Sequence, residues 1–240
     1  MKDLFGKAIL DYQTNNLPED LITETSISEA EEMSVAYLFR DYAGMPSIEQ
    51  KALELAKGRV LDVGCGAGSH SLYLQNERQL DVTGIDISLN VIEACRLRGL
   101  KNAFARNVLD ITAEKFDTIL LLMNGAGMCG RLKKLPAFLQ HLKSLLAEGG
   151  QILLDSSDII YMFDEDEDGG KWIPTDVDYY GEVTFTVKYK GKTEKPFNWM
   201  YVDFNTLSNA ADSCGLQCEL IQEGGHYDYL ARVSYKTSRY

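Results

Sequence analysis

Hydrophobic positions between residues 57 and 157 form short apolar runs that alternate with helical segments. The runs at 59–63 (RVLDV), 81–86 (DVTGID) and 116–123 (FDTILLLM) are nearly continuous in aliphatic residues, as in strands buried on both faces. The intervening segments have helical periodicity and are predicted to end at Gly99 and Gly149. This alternation predicts an open α/β fold with a parallel sheet covered on both faces.

Two helices are predicted before the first strand. Ser28 and Glu31 form a capping-box pattern in residues 26–42, and a second helix is expected to begin at Ser47 and end at Gly58. The pattern therefore predicts a helical cap over residues 1–56.

Residues 161–204 interrupt the alternation. They contain an acidic run, DEDED, and a stretch with period-two alternation on both sides of Lys190-Gly191, which predicts a β-hairpin. A helix is predicted to follow at 204–214, with Asp203 as its cap, and then two strands joined at Gly224-Gly225. The chain is thus predicted to be one domain over 1–240, with a core at 57–160, an insertion at 161–204, and a last helix and antiparallel hairpin at 205–240.

The net charge and the cysteine content exclude some classes of function and location. A net charge of −12 among 240 residues disfavours nucleic acid as a partner and anionic membrane surfaces. The five cysteines form no zinc-type clusters, so we predict no metal site and expect a reduced, cytoplasmic location. No signal peptide or membrane span is predicted.

The most informative residues are VLDVGCGAGSHS at 60–71, where an apolar strand runs into three glycines and then a helix. Gly64, Gly66 and Gly68 allow a sharp turn and a close ligand approach, and the helix start offers free N–H groups. Asp62 suits a cationic amino group better than a diphosphate. A nicotinamide oxidoreductase is disfavoured by this carboxylate and by the third glycine, which is one position earlier than in GxGxxG.

Three later strand ends extend the predicted site. Asp86 ends the second strand, where a carboxylate binds both hydroxyls of a ribose. Asn107 and Val108 follow the third strand, where an amide and a backbone N–H are placed to contact a purine edge. Asn124 ends the fourth strand and faces the same crevice if the strands are parallel.

Over residues 57–157 the sequence resembles the class I S-adenosylmethionine-dependent methyltransferases. The matching motifs occur in the family's order: VLDVGCGAG, GID, ARNVLD, FDTILLLMNG and LLAEGGQILLDSSD. The resemblance implies a doubly wound, Rossmann-like, mostly parallel seven-stranded sheet with an antiparallel last strand. It also implies that S-adenosylmethionine is the cofactor and S-adenosylhomocysteine the product. Many members have Asp where this chain has Asn107, and an amide can still accept from the adenine amino group.

The resemblance assigns cofactor roles residue by residue. The glycine loop, with Cys65 inside it, would line the methionine part, Asp62 its amino group, and Asp86 the ribose. The adenine and sulfonium sides would be contacted by Ile87, Asn107, Val108 and Asn124.

The methyl acceptor is predicted to be a small molecule that receives the methyl group by direct in-line transfer. After the fourth strand the chain has NGAGM rather than N/D-P-P-Y/F, which disfavours amide and nucleobase nitrogens. Cys129 lies near the position of a cytosine-5 nucleophile, but the preceding proline is missing. No catalytic residue and no oligomeric state can be assigned from the sequence.

Several residues have open alternatives. Residues 161–204 hold 11 of the 24 aromatic residues, including Trp172 and Trp199, and with Asp176 and Asp178 would either cover the acceptor or form their own core. His70 would either touch the ligand or face solvent, and Arg40 would either reach the ligand's carboxylate or have a surface or ion-pairing role. The alternatives in function are a non-catalytic S-adenosylmethionine-binding sensor or partner subunit and a protein or RNA methyltransferase.

Overall fold

A computed structural model describes residues 2–175 and 177–236. Its central element is a seven-stranded sheet with the order β11-β12-β7-β6-β3-β4-β5. The parallel strands are β3 (Arg59–Val63), β4 (Asp81–Asp86), β5 (Asn102–Ala105), β6 (Phe116–Leu121) and β7 (Leu146–Ser157). Strand β12 (Asp228–Tyr235) runs antiparallel to β7, and β11 (Leu216–Glu223) pairs antiparallel with β12. The predicted seven-stranded sheet with an antiparallel last strand is confirmed.

Helices cover both faces of this sheet because successive strand residues point to opposite sides. Leu121 and Leu154 pack with α5 (Leu135–Leu145) and α6 (Phe204–Ser213), whereas Leu120 and Leu153 pack with α2 (Ser47–Leu55) and α3 (Ser69–Asn76). Helix α4 (Leu89–Leu97) packs against α1 (Leu4–Gln13). These two hydrophobic layers make the fold doubly wound.

The remaining strands form a second sheet. Strands β1 (Leu21–Thr25) and β2 (Ser28–Met33) form an antiparallel pair, and β1 also pairs with β8 (Glu182–Tyr189). Strand β8 in turn pairs with β9 (Lys192–Thr193) and β10 (Phe197–Met200). The predicted hairpin at Lys190-Gly191 is confirmed, and it belongs to a sheet that the sequence did not reveal.

The helix predicted over residues 26–42 is wrong. Residues 28–33 are strand β2, and Val35–Phe39 is a short 3-10 helix. The Ser28 hydroxyl lies 2.8 Å from Thr25 Oγ1 within the β1–β2 turn instead of capping a helix. Pairing of β2 with β1 therefore outweighs the local capping-box signal, and the amino-terminal cap is part helix and part sheet.

Other element boundaries agree more closely with the predictions. Helix α2 starts at Ser47, and α6 is capped by Asp203, whose carboxylate accepts from Thr206 N. Helix α5 ends at Leu145, four residues before Gly149, because β7 already begins at Leu146. Helix α1 lies where no element was predicted. Over the described ranges, every helix is too short or too polar to cross a bilayer.

Candidate cofactor-binding site

The glycine loop, residues 64–68, crosses the carboxyl end of β3 and leads into α3. Gly64 and Gly66 have φ angles of 72° and 52°, a region in which a side chain is strained. A β-carbon on Gly66 would meet only the Gly64 backbone oxygen, 4.0 Å away, so that side of the loop is open. The loop thus has the close-approach surface that the sequence predicts.

Asp62 lies beneath this loop at the end of β3 and is 2% exposed. The Ser71 hydroxyl donates to its carboxylate at 2.6 Å, which connects β3 to the first turn of α3. Burial raises the pKa of Asp62, and His70 and Ser71 oppose this shift. Contact between Asp62 and an amino group remains a prediction.

Cys65 contributes only its backbone to the loop surface. Its side chain is buried in the core, where Sγ lies 3.9 Å from Cys95 Sγ, and both cysteines are free thiols. The Gly64 and Cys65 amides both donate to the Ile85 carbonyl, at 2.8 and 3.0 Å, and so hold the loop against the end of β4.

Asp86 and Ile87 lie beside the loop at the end of β4. The Asp86 carboxylate accepts from the Ser88 amide at 2.9 Å, and burial raises its pKa. Ile87 is 66% exposed. The pair therefore offers a hydrogen-bond acceptor next to an apolar surface, the combination that a ribose and its base require.

Asn107 and Val108 follow β5 on the same edge of the sheet. Asn107 Oδ1 accepts from the Leu109 amide at 3.0 Å and caps the short 3-10 helix Val108–Asp110. Val108 is buried, and its carbonyl accepts from His141 Nε2 at 2.8 Å. These bonds fix the backbone at this strand end, and a contact of either residue with adenine stays a prediction.

Asn124 follows the end of β6. Met123 and Asn124 both have left-handed backbone, with φ angles of 59° and 58°. Their amides donate to the carboxylate of Asp155 in β7, at 3.0 and 2.6 Å. Asn124 Oδ1 is buried and has no hydrogen-bond partner among the described residues. A buried acceptor of this kind is costly unless a ligand or water satisfies it.

These features fit a sulfonium nucleoside. The carboxyl ends of three adjacent strands carry the open side of Gly66, the Asp86 carboxylate with the exposed Ile87, and the buried Oδ1 of Asn124. That edge is where open α/β sheets bind ligands. In the described part of the chain, His, Cys, Asp and Glu side chains form no group of three suited to a metal ion.

A family model described as a methyltransferase domain matches residues 36–186. The chain belongs to the class I S-adenosylmethionine-dependent methyltransferases. The resemblance and the enzyme class predicted from the sequence are thereby confirmed, and the predicted cofactor is confirmed by the similarity to a solved complex described next.

Individual relatives agree with this membership. The fold is similar to a solved S-adenosylmethionine-dependent methyltransferase from Bacteroides fragilis in complex with S-adenosyl-L-homocysteine, with a TM-score of 0.90 and 45% identity over 98% of this chain and 96% of that one. A ubiquinone biosynthesis O-methyltransferase from Xanthomonas euvesicatoria pv. vesicatoria is 32% identical over 43% of this chain and 45% of its own. Phosphoethanolamine N-methyltransferase 3 from Arabidopsis thaliana is 31% identical over 42% of this chain and 22% of its own. The chain thus spans less than half the length of these two curated relatives.

This methyltransferase also has a buried ionic cluster beside the glycine loop, made of Arg40, Glu49 and His70. Glu49 is 4% exposed; Arg40 Nη2 donates to its Oε1 at 2.6 Å, and His70 Nε2 lies 2.7 Å from its Oε2. Burial alone raises the pKa of Glu49, but the bonds with His70 and Arg40 outweigh it and leave the pKa below its usual value. A solvent-facing His70 is therefore wrong, whereas the ion-pairing role predicted as one alternative for Arg40 is confirmed.

Sequence reasoning missed two buried carboxylates of the methyltransferase, Glu49 and Asp155. Asp155 directly follows the apolar run at 152–154 in β7, and a charged residue in that position was the available signal. Glu49 had no comparable signal, because the first turn of a helix is an ordinary place for an acidic residue.

Cys129 does not suit a nucleophilic role in the methyltransferase. It is buried, and burial raises the pKa of its thiol to about 11, so the thiolate is disfavoured at neutral pH. The structure thus agrees with the sequence argument against a cytosine-5 mechanism.

The aromatic residues of the insertion have different environments. Trp172 is 70% exposed, whereas Trp199 in β10 packs against Gly127, three residues after Asn124. Asp178 is exposed, and Asp176 lies outside the described residues.

Proposed function

We propose that this methyltransferase transfers the methyl group of S-adenosylmethionine to a small-molecule acceptor above the carboxyl ends of β3, β4 and β6. The observation that carries the proposal is the buried Asn124 Oδ1, which has no hydrogen-bond partner within residues 2–175 and 177–236 and lies on the same sheet edge as Asp86 and the open face of Gly66. A polar atom left in this state is expected to bind a ligand that reaches it.

With the cofactor bound at this sheet edge, each predicted residue is assigned to one part of the cofactor. The glycine loop lies along the methionine part, Asp62 is near its amino group, and the Asp86 carboxylate accepts from the ribose hydroxyls. The remaining contacts come from Ile87, Asn107, Val108 and Asn124. Cys65 takes part through its backbone, because its side chain is buried in the core.

The bound cofactor supplies an electrophilic methyl group on a sulfonium. The chain aligns the acceptor with that group and excludes water, which can give an effective molarity of roughly 10⁵ to 10⁸ M. A dedicated base is then unnecessary for a nucleophilic acceptor, and we assign no catalytic residue.

We place the acceptor under the second sheet and the insertion, residues 161–204. Trp199 connects β10 to the turn after β6, so the second sheet lies beside the strand end that holds Asn124. A cavity of about 370 Å³ is lined mainly by the second sheet and the insertion, including Phe163, Tyr180 and Glu182, and none of the proposed cofactor residues is among its described lining residues. Its volume is in the range of small-molecule sites.

The relatives support a small acceptor without fixing the atom that is methylated. One is named a ubiquinone biosynthesis O-methyltransferase and the other a phosphoethanolamine N-methyltransferase.

We further propose that residues 1–240 form one domain, in which the insertion covers the acceptor. We also propose that the protein works in the cytoplasm, where its five free cysteines stay reduced.

The test is incubation of the protein with S-adenosylmethionine labelled in its methyl group and a metabolite extract, followed by separation of small molecules from macromolecules. We expect label in the small-molecule fraction, lost with Asp86→Ala and kept with Asp81→Ala, an exposed aspartate at the start of the same strand. Label in protein or RNA would favour a macromolecular acceptor. No transfer across broad extracts, with cofactor binding intact, would favour the sensor alternative.

A further inference from the structure

Asp155 is a buried carboxylate that holds two consecutive residues of left-handed backbone. It lies in β7 and is 5% exposed. Its Oδ2 accepts from the Met123 amide at 3.0 Å and its Oδ1 from the Asn124 amide at 2.6 Å. Each carboxylate oxygen therefore holds one amide of the turn that ends β6.

This turn needs such support because neither residue is glycine. Left-handed backbone is strained for a residue with a side chain. Hydrogen bonds to a charged acceptor are stronger than those to a neutral one. The two bonds that Asp155 accepts therefore offset strain at Met123 and Asn124.

The conformation of the turn decides where the Asn124 side chain points. Asn124 Oδ1 is the buried oxygen without a partner among the described residues. Its position depends on the backbone angles of Asn124, which the hydrogen bond to Asp155 fixes. If the turn relaxed toward ordinary backbone angles, this oxygen would leave its place above the strand ends.

We propose that Asp155 is a positioning residue for the cofactor: its carboxylate fixes the Met123–Asn124 turn and thereby directs the Asn124 amide toward the cofactor. The proposal rests on the proposed function. Asp155 itself acts only through the backbone of these two residues.

The ionisation state of Asp155 controls this role. Both oxygens accept an N–H, so a proton on the carboxyl group removes one of the two acceptors. Burial raises the pKa of Asp155 to about 7, opposed by the Asn124 and Met123 amides. The charged or titratable groups that face it are Glu49 from α2, His70 from α3, Tyr37 from the 3-10 helix and Tyr229 from β12.

These surroundings give the proposal a pH signature. Above about pH 7 the carboxylate is ionised and both amides are held. Below that pH the turn loses one bond, so the cofactor should bind more weakly.

The experiment compares the wild type with Asp155→Asn and with Asp117→Asn as a matched control. Asp117 lies at the opposite end of β6, where its carboxylate also accepts a backbone amide, that of Arg59 at 2.7 Å. Calorimetry with S-adenosylhomocysteine at pH 6, 7 and 8.5 gives the affinities, and hydrogen exchange gives the protection factors of the Met123 and Asn124 amides.

We expect affinity to rise about tenfold from pH 6 to 8.5 in the wild type and in Asp117→Asn, the size of one lost charged hydrogen bond. Asp155→Asn should bind about tenfold more weakly at pH 8.5, with a flatter pH profile and lower protection of both amides. The proposal would be overturned if Asp155→Asn had the same affinity, pH profile and amide protection as the wild type.

Two further outcomes are distinguishable. If the wild type does not bind S-adenosylhomocysteine at any pH, the proposed function fails, not only the role of Asp155. If Asp155→Asn does not fold, the wild-type protection factors decide: a drop at Met123 and Asn124 below pH 7 supports the proposal, and constant values overturn it.

Discussion

The indole ring of Trp199 packs against Gly127 so closely that a β-carbon at position 127 would lie 2.2 Å from Nε1. Gly127 belongs to the 3-10 helix Gly125–Cys129, which follows Asn124, and Trp199 belongs to β10. This contact is a direct connection between the second sheet and the turn at the carboxyl end of β6.

Gly127→Ala should displace Trp199 and destabilise the fold by about 1 to 3 kcal/mol, the usual cost of overpacking. Urea unfolding measures the free energy, and Trp199 fluorescence, observed in a Trp172→Phe background, reports the displacement. Gly225→Ala is the control, since a β-carbon there meets nothing within 4 Å. Unchanged stability and emission in Gly127→Ala would show that the contact is not tight.

Asp86→Ala should weaken the binding of S-adenosylhomocysteine by about 1.5 to 3 kcal/mol, the range for hydrogen bonds that involve a charged group. Calorimetry measures the change. Asp81→Ala in the same strand should bind like the wild type, because Asp81 is exposed and its nearest cation, Arg59 Nε, is 3.8 Å away. Equal affinities for both variants would remove Asp86 from the site.

Local patterns were sufficient for the core of the fold. The apolar runs from Arg59 to Ser157 alternate with helical segments, and the glycines after Asp62 mark the end of the first of these strands, so the parallel sheet and the position of the loop could be inferred together. The same local reasoning failed at residues 28–33. Their strand conformation depends on pairing with β1, and β1 is held by β8, more than 150 residues later.

Part of the candidate site could not be predicted either, because it also depends on contacts between residues that are distant in sequence. Glu49 and His70 are 21 residues apart in sequence, and Asp155 is 31 residues from the Asn124 amide that it holds. Glu49 has no local feature that distinguishes it from a surface residue, and the apolar run before Asp155 does not reveal which amides its carboxylate binds. Only the packing of α2 and α3 on the sheet, and the adjacency of β6 and β7, bring the partners together.

Glu49→Gln should destabilise the fold by about 3 to 5 kcal/mol, because it leaves the charge of a buried Arg40 without its partner. The free energy of unfolding from a urea titration measures the loss. Glu54→Gln is the control: it removes an exposed ion pair with Lys51 from the same helix and should change little. A loss no greater than that of the control would mean that Arg40 finds water or another acceptor.

The pH dependence of stability should reveal Asp155. Its pKa is about 7 in the folded protein, compared with an ordinary value of 3.8, so between these pH values the folded chain holds a proton that the unfolded chain has lost. Stability must therefore fall as pH rises from about 4 to 7, by up to about 4 kcal/mol from this group alone. Burial also raises the pKa of Asp62 and Asp86, so the same trend has several sources.

Asp155→Asn isolates the contribution of Asp155, because an amide does not titrate in this range. The measurement is the free energy of unfolding at pH 5 and pH 8 in urea, for the wild type, Asp155→Asn and the control Asp117→Asn. We expect the wild type and the control to lose stability between these pH values and Asp155→Asn to lose less. Parallel losses in all three proteins would mean that Asp155 is ionised throughout. The expected result would show that the ionised Asp155 carboxylate destabilises the fold; if Asp155 has the proposed positioning role, cofactor binding should strengthen over the same pH range.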